Sequence, residues 1–148
     1  IYRKEDFIFM SRRLSREIAV QTLFFLDFNS SFGINNALEA VFSERKNVSN
    51  SVKKYSEFLV NGTKENLQEI DECLTKLSKQ WKLSRMPSVD RNIARLALFE
   101  MKYSRKSLTI GIIINEAVEL AKIFGTEDSG RFINGILGSA ARIEESLK

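Results

Sequence analysis

Apolar residues recur along this chain at intervals of three and four, a pattern that predicts one helix after another. Over residues 11–28, Leu14, Ile18 and Phe25 fall on one face. At ~100° per residue, Arg12, Arg13 and Arg16 then project from the opposite side. The segment Leu23-Phe24-Phe25-Leu26 is apolar nearly all round and should be buried against more than one neighbour. After a polar break containing Gly33, the positions Ile34, Ala37, Leu38, Val41 and Phe42 make a clean helical stripe. Residues 47–51 form a second break with several N-cap candidates. A further stripe, Val52, Tyr55, Leu59, Leu67, Ile70, Leu74 and Leu77, then runs to about residue 79. Gly62 lies inside it. At ~1 kcal/mol relative to alanine, this glycine predicts a kink or a close helix crossing rather than a clean break. Cys73, beside the stripe, reads as a small core residue.

Pro87 marks the clearest boundary, with Ser88 as the cap that follows it. From residue 89 to 103, Ile93, Leu96, Ala97 and Met101 line one side while Ala94, Leu98 and Phe99 line the other, which predicts a central helix. Glu100, set among them, needs a hydrogen-bonding or basic partner, or else marks an edge. Residues 104–107 read as a basic loop. The run from Ile110 to Ile114 has strand-like composition, yet Ile113, Ala117, Leu120, Ala121 and Phe124 extend a helical stripe through it. Helix is the reading taken. Gly125 then supplies the stop, Thr126 caps the next helix, and Glu127 and Asp128 sit at its positive end. Asn134-Gly135 would ordinarily mark a hairpin, but Ile133, Ile136, Leu137 and Ala140 keep helical spacing across it. The expected fold is all-α, about seven helices in two packed sub-bundles divided near residues 81–88. Met10-Ser11 reads as a start. Residues 1–10 are therefore taken as an extension or disordered start, and residues 11–148 as a single domain.

Composition narrows function mainly by exclusion. The chain has 148 residues, enough for a real core without staples. It has one cysteine and no histidine. A disulfide, a paired-thiol metal site, an HExxH site and an imidazole base are all ruled out, and no carboxylate pair has a recognisable context. Neither an enzyme nor a metal or cofactor is expected. No window is apolar enough to span a membrane, and residues 1–9 carry charges and no apolar run of the length a secretory signal needs, so the cytoplasm is the expected default. The net charge of +4 is unevenly placed. Arg3, Lys4, Arg12, Arg13 and Arg16 crowd the first 16 residues against Glu5 and Asp6 alone. Such an arm suits a phosphate backbone, and a merely solvated terminus is the competing reading.

Three ordered blocks make a more specific pattern. The first is the arginine-rich start running into Arg16-Glu17-Ile18-Ala19-Val20-Gln21 and Leu23-Phe24. The second is Trp81-Lys82-Leu83, Val89-Asp90-Arg91 and Ile93-Ala94-Arg95-Leu96-Ala97-Leu98-Phe99-Glu100. The third is Asn115-Glu116-Ala117-Val118-Glu119-Leu120-Ala121-Lys122, then Phe124-Gly125, Glu127-Asp128-Ser129 and Phe132-Ile133-Asn134-Gly135. Together, over residues 11–141, they resemble the NusB family of bacterial transcription antitermination factors. The chain departs from the family's habits at Leu14 (often basic), Phe24 (usually tyrosine), Thr109 (frequently proline) and Gly138 (frequently aspartate).

The resemblance implies an all-α protein that binds boxA-type single-stranded RNA with a NusE-type small-subunit ribosomal protein, as part of an RNA polymerase antitermination complex. Carried over residue by residue, Arg12, Arg13 and Arg16 match the arm that meets RNA. Arg131 and Phe132 match a basic-aromatic pair near the same surface, and Arg95 is a weaker RNA candidate. Asp90, Glu127 and Asp128 match acidic positions on the protein-partner side, with Phe24 as their neighbour. Structural alternatives stand beside these roles: an internal ion pair for Arg95, core packing for Phe132, a helix-start charge for Asp128. Asn115 and Glu116 read as hydrogen bonds between helices rather than ligand contacts. A different class of function also remains, a helical protein-interaction scaffold or homodimer whose basic arm is incidental. A DNA-binding helix-turn-helix is disfavoured, since the cations sit on the first helix and not on a recognition helix after a tight turn.

Overall fold

The computed structural model describes residues 3–79, 81–104 and 108–146. Among the described residues seven helices follow one another: α1 (Lys4–Phe28), α2 (Ile34–Ser43), α3 (Asn50–Glu65), α4 (Leu67–Leu77), α5 (Ser88–Tyr103), α6 (Ile110–Phe124) and α7 (Ser129–Ser146). One 3-10 turn, Leu83–Arg85, lies between α4 and α5. There is no strand among the described residues, so the all-α expectation holds, and Asn134-Gly135 sits inside α7. The basic loop expected at residues 104–107 lies, apart from Ser104, outside the described residues. Among the described residues no helix is long and apolar enough to cross a membrane.

The chain forms two compact units, residues 1–62 and 63–148, and the division falls within α3 rather than near residues 81–88. The segment 81–88 stays with the second unit because Arg91 donates from Nη1 to the Leu83 carbonyl at 3.2 Å. Helix α3 runs through Gly62 without stopping and breaks only at Asn66. Part of the expected extension or disordered start is among the described residues. Residues 4–10 are the first turns of α1, with Phe7, Ile8, Phe9 and Met10 exposed. No glycine or proline interrupts Lys4–Phe28, and once a helix is nucleated each added residue extends it cheaply.

In the first unit the core is built from Ile18, Ala19, Val20, Leu23 and Leu26 of α1 with the Ala37, Leu38, Val41 and Phe42 stripe of α2. Leu14 and Phe25 are only half-buried and Phe24 is exposed, so the face of α1 that packs inward is rotated from the one expected. Small residues explain the rotation. Ser15 donates its hydroxyl to the Val52 carbonyl at 3.0 Å, and Ser56 donates to that same carbonyl at 2.8 Å. These short side chains let α1 and α3 approach closely, with their polar atoms satisfied. Ser49 caps α3 by accepting the Val52 N–H at 3.2 Å.

In the second unit α5 is the central element. Every residue from Asn92 to Met101 is buried, and α4, α6 and α7 pack around it. Helix α4 contributes Ile70 and Leu74, while Cys73 faces solvent, contrary to its expected place in the core. At α5 the capping position belongs to Pro87; Ser88 is the first helical residue, its hydroxyl 3.3 Å from Asn92 Nδ2. Thr109 caps α6 by accepting the Ile112 N–H at 3.2 Å. Gly125 ends α6 in an extended conformation with φ −101°, so left-handed backbone is not the reason a glycine stands there. Space is the reason. A Cβ at residue 125 would lie 2.4 Å from Ser129 Oγ and 2.8 Å from the Ala121 carbonyl oxygen. Ser129 Oγ occupies that room because it accepts the Thr126 N–H at 3.0 Å and begins α7.

Two glycines of this unit should therefore respond oppositely to alanine. Gly125→Ala should destabilise by about 1–3 kcal/mol through overpacking. Gly135→Ala, whose Cβ would meet nothing within 4 Å, should stabilise by about 0.5–1 kcal/mol as a helix-interior replacement. Urea unfolding midpoints with unchanged m-values check both.

Candidate nucleic-acid interface

The cations of α1 separate into two environments. Arg12 and Arg13 are half-buried, and each lies over an aromatic ring. The Arg12 guanidinium carbon is 3.6 Å from the centre of the Tyr55 ring, and that of Arg13 is 5.1 Å from the centre of Phe9. A guanidinium on a ring face is held in plane while its edge donors remain able to meet an anion. Arg16 is different. It is 2% exposed and does not project from the outer face with the other two. Burial of Ser15 and Ala19 on one side and Val20 on the other draws the intervening arginine inward, where it is not without a partner. Its expected place on the outer ladder is corrected accordingly.

The second unit carries a larger feature. A cleft of about 560 Å³ is lined by Lys76, Lys79, Trp81, Arg131, Phe132 and Arg142, among others. Trp81 is 49% exposed and meets Phe132 edge-on, with ring centroids 6.5 Å apart and planes at 63°. The Ser78 hydroxyl donates to the Trp81 carbonyl at 3.0 Å and pins the backbone just past α4. Arg142 is oriented by a 3.0 Å hydrogen bond from Nη2 to Ser139 Oγ. Arg131 and Phe132, adjacent in sequence, thus meet in one cleft, with Phe132 half-buried at its wall. Sequence reasoning used Trp81 only as a family landmark and passed over Lys76, Lys79 and Arg142. A tryptophan in a short polar connection, two and five residues after a pair of lysines, is the signal available.

Arg95 belongs to neither patch. It is 8% exposed, and its Nε and Nη2 donate to the two carboxylate oxygens of Asp71 at 2.8 and 2.9 Å. This fork-to-carboxylate pair ties α5 to α4 and uses the donors that RNA would need. The internal ion pair is what the fold contains, and the RNA assignment of Arg95 is withdrawn.

The acidic positions also divide. Glu127 and Asp128 are exposed in the turn before α7. Asp90, in the first turn of α5, is only 6% exposed, and its Oδ1 accepts no hydrogen bond from the described residues. Phe24 is exposed on α1, its ring 5.0 Å from that of Phe28. Of the polar pair on α6, Glu116 is buried as expected of an interhelical group, whereas Asn115 is exposed and lines a groove with Glu127, Arg131 and Asn134.

A small all-helical protein with cations gathered around exposed aromatic rings defines a class, the helical nucleic-acid-binding proteins. Comparison with known proteins gives the family. The NusB family profile matches residues 13–142. A transcription antitermination protein NusB from Desulforamulus reducens is 46% identical over 132 residues, 87% of this chain and 88% of that one. Its counterpart from Bdellovibrio bacteriovorus is 39% identical, over 89% and 96% of the two chains. Among solved structures, T. maritima NusB superposes with a TM-score of 0.82 at 34% identity, covering 88% of this chain and 90% of the other. A NusB solved with NusE and double-stranded RNA does so with a TM-score of 0.78 at 25% identity, covering 88% and 95%. The chain belongs to the NusB family.

If the Arg95–Asp71 pair is structural, Arg95→Met should lower stability by about 1–3 kcal/mol. That is less than the loss for a fully buried pair, because Asp71 keeps some water. RNA affinity, measured well below the unfolding midpoint, should stay within about twofold of wild type.

Proposed function

We propose that this protein is a non-catalytic, cytoplasmic transcription antitermination factor. It binds boxA-type single-stranded RNA together with a NusE-type small-subunit ribosomal protein, within an RNA polymerase antitermination complex. One observation carries the reading: in a chain of the NusB family, a cleft walled by Trp81 and Phe132 is ringed by Lys76, Lys79, Arg131 and Arg142. Single-stranded RNA needs those two kinds of group. Guanidinium and ammonium groups neutralise phosphates, and rings accept unstacked bases. Arg12 and Arg13 add cations on the first unit.

Partner binding draws on the acidic helix starts. Glu127 and Asp128 offer exposed carboxylates to a basic ribosomal protein. Asp90, at the start of α5, adds a further negative charge, with its Oδ1 itself buried. Phe24 supplies apolar contact. Support also comes from the related NusB solved in complex with NusE and RNA.

RNA binding should be electrostatic at its base. With a few phosphates neutralised, log K should fall against log salt with a slope of roughly −2 to −3.5. Arg12→Glu combined with Arg131→Glu should weaken binding at least about tenfold while helicity and melting stay near wild type. Fluorescence anisotropy at several salt concentrations measures this. Equal affinity for duplex DNA of the same length would instead favour a helical scaffold with an incidental basic arm.

Partner and RNA should bind cooperatively. The coupling should be ~1–3 kcal/mol, about 5- to 150-fold, and the same in either order of addition. Asp90→Asn should remove most of it and leave the lone protein's RNA affinity unchanged. Titrating RNA with and without saturating ribosomal protein, for wild type and variant, decides the point.

A further inference from the structure

We propose that α3 carries a base-stacking site for single-stranded RNA, formed by Tyr55 and Phe58 with Lys54 as its phosphate contact. The proposal rests on the RNA-binding reading above and extends it to a helix on which that reading places no contact.

The site is a shallow cleft of about 450 Å³ lined by Arg12, Ser51, Lys54, Tyr55 and Phe58. Tyr55 and Phe58 are three residues apart and so share one face of the helix. Their ring centroids are 5.6 Å apart with planes at 30°, a nearly parallel pair. Arg12 from α1 lies over the Tyr55 ring at 3.6 Å. The result is a row of three flat groups, guanidinium, phenol and phenyl, at one edge of which Phe58 remains 42% exposed. Lys54 and Ser51 are exposed beside it.

The core does not account for Phe58. The face of α3 that packs inward is made by Val52, Ser56, Leu59 and Val60, all buried. A single exposed phenylalanine is ordinary. One that continues a stacked row begun by an arginine, and is flanked by a lysine, has the composition of a single-strand stacking platform. An unpaired base laid on Phe58 would extend the row, and its phosphates would fall within reach of the long Lys54 and Arg12 side chains. Duplex nucleic acid cannot use the site, because its bases are already stacked on one another. Tyr55 has a second task as a positioning residue, since it holds the Arg12 guanidinium in plane.

The test uses the full chain and a fluorescein-labelled single-stranded boxA-type RNA of about 12 nucleotides, read by anisotropy. Phe58→Ala should weaken binding about 5- to 100-fold, and Phe58→Leu nearly as much, because the ring and not its apolarity is required. Both should leave melting temperature and the salt slope unchanged. Lys54→Ala should instead reduce the salt slope by roughly 0.7, the value for one lost phosphate contact. Scanning the RNA with single abasic sites should find one nucleotide whose base matters to wild type and not to Phe58→Ala. If Phe58→Ala and Phe58→Leu bind like wild type while Arg12→Glu weakens binding, the α3 site is overturned and the RNA-binding reading stands. If Phe58→Leu alone retains full affinity, apolar packing and not stacking is at work, and the proposal is again overturned. If wild type binds this RNA no better than duplex DNA, both readings fall together.

Discussion

From Asn92 to Met101 every residue of helix α5 is enclosed, and the polar groups of that stretch must be satisfied inside the protein. Asn92, Arg95 and Glu100 are buried alongside Ile93, Leu96 and Phe99. Each answers the requirement with a partner, Asn92 through the Ser88 carbonyl at 2.9 Å and Arg95 through both oxygens of Asp71. The Arg95 fork ties α5 to α4, and Lys76, Lys79 and the Trp81 connection lie on and just after that helix. At the far end of α5, Lys102 pairs with Glu69 and Tyr103 donates to Asn66 at 2.9 Å, repeating the link between the same two helices nearer solvent.

The first unit meets the same problem with small residues instead of charges. Ser15, Thr22 and Ser56 are buried and turn their hydroxyls onto nearby carbonyls, Thr22 onto that of Ile18 at 2.8 Å. Close helix approach follows. It brings the outer edge of α1 against aromatic residues, so that Arg12 rests on Tyr55 rather than extending freely into water. An arginine held on a ring loses less conformational freedom when it binds an anion than one waving in solvent. Both units thus pair cations with exposed rings, the first through helix packing and the second through a pinned loop.

Much of this was legible in the residues. Helical periodicity gave α2, α5 and α6 nearly to their ends, and it overrode two misleading local signals, the β-branched run at residues 110–114 and the Asn134-Gly135 pair. The Thr126-to-Asp128 restart and the glycine stop were also readable, although Gly125 is required for space and not for backbone angle. Of the candidate site, Arg131 and Phe132 lie where a binding role needs them, on the wall of a cleft. Arg12 and Arg13 lie on the outer part of α1.

The misses have a common physical origin. A wheel of hydrophobic residues weights large side chains, so it aimed Leu14 and Phe25 inward and Arg16 outward. Packing chose the face with Ser15, Ala19 and Thr22, because small hydroxyls that bond locally allow a closer contact than leucine does. Arg95 could not be assigned from sequence, since its partner Asp71 is 24 residues away and only the packing of α4 on α5 brings the two together. Trp81 faces solvent for a similar reason, set by the Ser78 contact and the neighbouring helix ends. The sequence by itself determined most of the helices, their order and the family, but neither the first turns of α1 nor the break between α3 and α4. Periodicity and capping act within a few residues along the chain, and the three ordered blocks are read along it in the same way. Which face of each helix is buried, and which cations stay available to a phosphate, was decided only by tertiary structure. Those outcomes depend on contacts between residues far apart in the chain, where close packing and the pairing of buried polar groups outweigh the hydrophobic pattern of any one helix.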